Sequence, residues 1–312
     1  MIVFLLRRFA AGFATLFAIA VLSFCFTRAA PGSPFSSERQ LHPEIIKAYE
    51  AHYGLDKPIY VQFWRALKGY AQFDFGPSTM YRGRSVNEYI EPGLQKSIIL
   101  GCLAAAFAFV IGVPLGVLAS ANHNRKLDHV AMSISTAGIC IPNFLLGPLL
   151  VMVFSMQLKL LPSALWPQDW SLAELSKLIL PTITLAMVHI AYVSRLARAG
   201  MLDVMNKDYI RTARAKGLNE WTVFAKHGLK NGVTPVVSYA GPMVAYVLTG
   251  SIVVEMVFAI PGMGQHVVNG ALNRDANMIM GCVLVYSAVV IALNFLVDIA
   301  YGFLDPRVRV TG

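Results

Sequence analysis

Charge is what this chain has least of. Asp, Glu, Lys and Arg make up 14% of its 312 residues, where soluble domains carry about 25%. That shortage, beside 56% hydrophobic residues, excludes an ordinary water-soluble domain. Cysteine is scarce too. Cys25, Cys102, Cys140 and Cys282 each fall in an apolar stretch, none at metal-ligand spacing and none in a loop where a disulfide would help. They read as small buried hydrophobes. Catalytic motifs are missing as well: there is no G-x-x-x-x-G-K-[ST], no H-E-x-x-H and no G-x-S-x-G. No catalytic, cofactor-binding or metal-binding residue is therefore assigned. The thirteen methionines are scattered and read as core filler.

What the chain does have is long runs free of Asp, Glu, Lys and Arg, at 9–27, 97–122, 130–158, 178–194, 231–254 and 276–297. Each meets the roughly 17–25 residues a spanning helix needs. Backbone in lipid must satisfy its own hydrogen bonds, so these runs predict helices. The first, preceded by Arg7 and Arg8, is longer than a signal-peptide core and reads as a retained span. The segments 1–8, 123–129, 195–230 and 305–312 hold 14 Lys and Arg against 5 Asp and Glu. The positive-inside rule then puts both termini in the cytoplasm. The expected domains are a first span at 1–28, an extracytoplasmic insert at 29–95 and a five-helix core at 96–312, with a cytoplasmic segment at 206–230.

The insert predicts a helix after His42-Pro43-Glu44, stopped by Gly54, and a second after Pro58 from the spacing of Ile59, Phe63 and Leu67. Phe73-Asp-Phe-Gly-Pro77 predicts a turn. Trp166 and Trp170 suit an interfacial anchor. Pro142, beside Asn143, should kink the third span, either against lipid or along a pathway. Ala259-Ile-Pro261-Gly-Met-Gly264 predicts a sharp break followed by a polar helix to Asn273, with Pro261, Gly262 and Gly264 at an outer mouth. Glu255, about 34 Å along span five from Gly232, is either a gate or brace beside that break or an exposed interfacial carboxylate. Asp298 could pair with Arg195 or Arg198. His189 reads as a packed, hydrogen-bonded histidine.

The most informative polar stretch is Asp208-Tyr-Ile-Arg-Thr-Ala-Arg-Ala-Lys-Gly217-Leu218. Asn206 is a candidate N-cap, Asp208 suits the first turn, and Arg214 and Lys216 suit the last. Gly217 stands where a left-handed residue ends a helix, with Leu218 folding back. Tyr209 and Ala213 share a face at i, i+4, Ala213 small enough to admit another backbone. The segment is either a docking knuckle or a basic loop resting on anionic headgroups.

Ile210-Arg-Thr-Ala-Arg-Ala-Lys-Gly-Leu218 resembles the coupling loop of ABC importer permeases, and the chain is similar to the B-type permeases of the dipeptide and oligopeptide family. Tyr53–Gln62, Glu255–Gly264, and Asp298-Ile-Ala-Tyr301 leading to Asp305-Pro-Arg307 carry the same likeness. Ala30–Phe35 and Asn269–Asp275 lean toward the oligopeptide branch. Two departures stand out: Arg211-Thr212-Ala213 replaces Glu-Ala-Ala, and Pro235 comes late. The resemblance implies an all-α integral membrane protein of the type I importer fold. It would have six spans, an extracytoplasmic insert between the first two and a cytoplasmic coupling helix between the fourth and fifth. It further implies ATPase-coupling residues Tyr209, Arg211, Thr212, Ala213, Arg214, Ala215, Gly217 and Leu218. The implied partners are a second permease, two ATPases that bind ATP and Mg, an extracytoplasmic solute-binding protein, membrane lipid and a peptide substrate, with no nucleic acid. The implied location is a bacterial inner membrane. Dipeptide, glutathione or nickel import within the family stays open, as does an ATP-independent transporter or channel.

Overall fold

A computed structural model describes residues 2–29, 54, 56–81, 83–163, 165–248 and 252–304; the side chains of 2–5, 298 and 300–304 lie outside that description. The expected helix after Pro43 also lies outside it. Among the described residues the structure is helical with no strand, and Pro77 and Ser85 form an isolated bridge. Among the described residues four helices are long and apolar enough to cross a membrane, or five if the bent pair Lys126–Cys140 and Asn143–Gln157 is one span. The chain divides into two units, residues 1–97 with 261–312, and residues 98–260.

In the first unit, α1 (Ile2–Ala29) packs along the last helix of the chain, and Gly12 admits the Ile291 side chain. Its other side, with Phe9, Phe13 and Phe26, is bare, as a lipid-facing span requires. α2 (Ile59–Ala71) starts directly after Pro58, and its Phe63 meets Phe24 of α1 edge-on at 5.2 Å. The turn at 73–77 has Phe73 at φ 56° and Gly76 at φ 81°. Its anchor is Asp275, wholly buried, which accepts from the Ser78 hydroxyl, the Met80 amide and the Met278 amide.

α3 (Asn87–Ala121) contributes to both units. α4 (Lys126–Cys140) and α5 (Asn143–Leu150) are the two halves of the expected third span, and they meet at 108°. This is a break rather than the expected kink. Pro142 has no amide to continue the ladder, and it drives Ile141 out of the helical region to φ −90°, ψ 114°. After Pro148 the chain widens into a π-helical turn, Val151–Gln157. α6 (Leu172–Leu175) leads through a 3₁₀ turn into α7 (Ile179–Met205), the most enclosed helix of this unit. Beyond it lie α8 (Asp208–Ala215), α9 (Glu220–Thr222), a second π-helical turn (Val223–Gly228) and α10 (Leu229–Gly232). The expected fifth span consists of α11 (Thr234–Leu248) and α12 (Ile252–Val257), with 249–251 outside the description. At 15 residues α11 alone falls short of the roughly 20 a span needs.

Residues Leu100, Ala104 and Ala108 of α3, Leu185, Ile190 and Val193 of α7, and Val236, Met243 and Val247 of α11 form the core of the second unit. Small side chains on α3 let the helices approach closely, the usual solution where no hydrophobic force separates helix from lipid. Trp166 packs against this core, while Trp170 is 70% exposed. Cys25, Cys102 and Cys140 are exposed, and Cys282 is buried. The chain closes in the first unit with α13 (Met263–Leu272) packed on α14 (Ala276–Leu304).

Candidate functional site

The basic segment is a short helix held by its own apolar side. Lys207 is extended at φ −76°, ψ 153°, so Lys207, and not Asn206, is the N-cap of α8. Asn206 closes α7, its side-chain amide donating to the Leu202 carbonyl at 3.0 Å. Asp208 and Arg214 occupy the first and last turns of α8, where each suits the helix dipole. Gly217 has φ +79°, and its amide donates to the Arg214 carbonyl at 2.9 Å, which ends the helix as its position predicts.

Ile210 and Ala213 point inward, onto Val204 and Val223. Ala213 is therefore covered by this chain's own turns, not open to another backbone. Tyr209 accepts a hydrogen bond from the Asn231 amide at 3.0 Å. Arg214 grips Glu220 through two bonds, 2.9 and 3.2 Å, bracing α8 against α9. Exposed on this segment are Tyr209, Arg211, Thr212, Arg214, Ala215, Lys216, Gly217 and Leu218, together with Trp221 at 78% exposure. Trp221 lies on the second short helix, which Asn219 caps and which the residues Asn219-Glu220 lead one to expect after the glycine stop. A bare tryptophan on an otherwise polar, basic stretch is the signal that singles it out.

The pathway candidates fall in both units. In the second, Pro142 and Asn143 form the elbow between α4 and α5, and the Asn143 Oδ1 is buried with no hydrogen-bond partner among the described residues. α5 packs against α12, where Gly147 lies beside Val257 and Phe258. Glu255 of α12 is wholly buried, which rules out the exposed interfacial carboxylate. Ala259 takes φ +50° as the helix breaks. In the first unit Gly262 is extended and caps α13, and the Met263 amide donates to Ser97 Oγ at 3.0 Å. Pro261 is half-buried and Gly264 buried.

Comparison with known proteins decides what this arrangement belongs to. Residues 112–310 match the family described as binding-protein-dependent transport system inner membrane component, and residues 1–78 match its N-terminal component. The chain belongs to this family. The permease is 43% identical over 306 residues to the dipeptide transport system permease protein DppB of Bacillus subtilis, covering 98% of this chain and 97% of that protein. It is 40% identical over 309 residues to the oligopeptide transport system permease protein OppB of Haemophilus influenzae, covering 99% and 100%. A structure of the MetNI methionine ABC transporter in inward-facing conformation aligns with TM-score 0.55 at 20% identity, covering 69% of this chain and 94% of that chain. The permease thus has the ABC importer permease fold and is homologous to peptide permease subunits.

The expected pairing of Asp298 with Arg195 or Arg198 lies outside the described residues, since the Asp298 side chain is not among them, and Arg198 of the permease has a partner elsewhere. Its guanidinium holds Asp128 in a two-pronged pair, Nε to Oδ1 and Nη2 to Oδ2 both at 2.6 Å. Asp128 also accepts from the Asn124 amide at 2.9 Å. Arg195, one turn earlier, donates to the Thr136 hydroxyl at 2.8 Å. These contacts tie α7 to α4 at the end of α7 nearest the basic segment.

Proposed function

We propose that this chain is the pathway-forming subunit of an ATP-driven importer for peptides, oligopeptides first, in a bacterial inner membrane with both termini in the cytoplasm. Its 96–312 core encloses the pathway together with a second permease. The segment at 206–230 docks into one of two partner ATPases, which bind ATP and Mg, and a solute-binding protein delivers peptide from outside. The observation that carries this reading is the near-complete alignment with oligopeptide and dipeptide permeases in a chain whose exposed basic helix is rigidly braced. Docking through Arg211, Thr212, Ala215, Leu218 and Trp221 would let nucleotide-driven closure move α8. The brace at Arg214 and Glu220 and the buried Ile210 would pass that motion to α7. Dipeptide import is the second reading, because DppB is 43% identical, against 40% for OppB, over nearly the whole chain.

Gentle purification of the whole complex, with identification of the chains that accompany it, tests the assembly. Arg211→Glu should lower recovery of the ATPases about tenfold, a change of ~1.4 kcal/mol. Unchanged recovery would make the helix a headgroup contact. At Gly217→Val the first added carbon has open space, since nothing lies within 4 Å of a Cβ placed there. Its effect is the strain of a positive φ alone, about 1–3 kcal/mol. ATP hydrolysis should continue while uptake falls; intact coupling would count against the glycine stop as a mechanical element.

A further inference from the structure

α7 and α11 bring together a group of aromatic side chains that the protein leaves largely uncovered. His189 Nδ1 lies 3.1 Å from the Tyr239 hydroxyl, and the His189 ring meets Tyr246 edge-on at 5.8 Å. Tyr239 lies 5.8 Å from Tyr192. The histidine is buried beneath, whereas Tyr192 and Tyr246 are 43% and 68% exposed. Arg195, three residues past Tyr192, is exposed and bonded to exposed Thr136. His189 touches both tyrosines of α11 while Tyr192 touches the earlier one, so the two helices run antiparallel and the group forms one continuous strip. It spans about 9 Å along α7 from His189 to Arg195 and about 10 Å along α11 from Tyr239 to Tyr246.

Three surroundings could cover such a strip. Hydrocarbon fits badly, because His189 lies about 15 Å into α7. Tyrosine hydroxyls belong at membrane interfaces, whereas Tyr246 meets His189 at that depth. A packed helix from a second permease also fits badly. Helix interfaces in membranes favour small residues, and this unit places its small residues, Ala104, Ala108, Ala186 and Ala197, inside its own core. A water-filled passage carrying a polar, flexible chain fits both the hydroxyls and the positive charge.

We propose that this strip is the wall of the pathway and that Tyr192, Tyr239, Tyr246 and Arg195 contact the peptide in transit, with His189 positioning Tyr239. A tyrosine hydroxyl both donates and accepts. It can therefore serve the carbonyls and amides of any peptide backbone without reading side chains. Arg195 meets the carboxylates a peptide carries. This inference rests on the peptide-importer reading.

The test uses the full complex in proteoliposomes, in a chain whose exposed Cys25, Cys102 and Cys140 are serine. Tyr192→Cys and Tyr246→Cys are introduced singly and exposed to a charged, membrane-impermeant methanethiosulfonate. Both positions should react, and a transported peptide with its binding protein should slow the reaction several-fold during ATP turnover. Reaction only with a lipid-soluble maleimide would put the strip against lipid, and disulfide formation with the second permease without aqueous labelling would put it in a subunit interface. Either result overturns the wall. Aqueous labelling that peptide never slows overturns the contact. Absence of peptide uptake by the parent complex sinks the importer reading instead, and it is scored separately from labelling.

Discussion

Replacing Gly200 by alanine is expected to lower the melting temperature of the purified permease by several degrees and to abolish ATP-coupled uptake. A methyl group there would lie 2.1 Å from the Gly232 carbonyl oxygen and 3.1 Å from the Pro235 ring. The nearest of these atoms is backbone and the other a rigid ring, so neither swings aside. α7 and α10 must part by roughly 1 Å, and overpacking of this kind costs ~1–3 kcal/mol or more. The crossing also sets the base of the basic segment, because α8 leaves the end of α7 and its Tyr209 bonds to Asn231 of α10. Separation should therefore disturb transmission as well as stability. Ala199→Val, on the exposed side of α7, serves as the control and should stay within about 0.5 kcal/mol of the parent. Equal melting and equal uptake for Gly200→Ala would mean that the two helices do not approach at this point.

Features written by local backbone chemistry were legible in the residues alone. Pro142 announces a distortion of the helix because a proline removes a donor wherever it stands, and Gly217 announces a stop because a left-handed residue favours glycine. The severity of the break at Pro142 was not legible. A single proline permits anything from a kink to a right-angle turn, and packing of α5 on α12 selects the outcome. Helix faces were harder still. The i, i+4 spacing put Tyr209 and Ala213 together without saying which way they point. Ala213 turned inward because Val204 and Val223 offered an apolar surface that only the fold assembles. Asn206 was misplaced as a cap by one residue. Both positions lie in the hinge between α7 and α8, and the asparagine amide found a carbonyl behind it first. His189 does read as packed and hydrogen-bonded, but nothing in its neighbours along the chain reveals Tyr239, fifty positions on.

The pairing of Arg198 was the least legible feature, since its partner lies 70 residues earlier, in a first turn that composition marks only as cytoplasmic. It also supports the second large expectation, that Asp128→Ala destabilises the permease by about 3–5 kcal/mol, the usual cost of stranding one member of a buried pair. Asp128 is 1% exposed and the Arg198 side chain 24%, so water and His123 replace the lost bonds only in part. The Asn124 amide loses an acceptor in the same variant, which adds to the penalty. Asp128→Ala combined with Arg198→Met should recover most of the loss, because the apolar replacement leaves no charge stranded. The arithmetic of that double variant is the decisive measurement: melting temperatures in detergent that simply add would deny the pair. The functional consequence follows from position. Arg198 sits one turn from Arg195, between the aromatic strip and the basic segment, and its bond to Asp128 fixes α7 against α4 there. An uncoupled α4 should leave peptide binding at the outer side unchanged while uptake per ATP falls, a split that general unfolding would not produce.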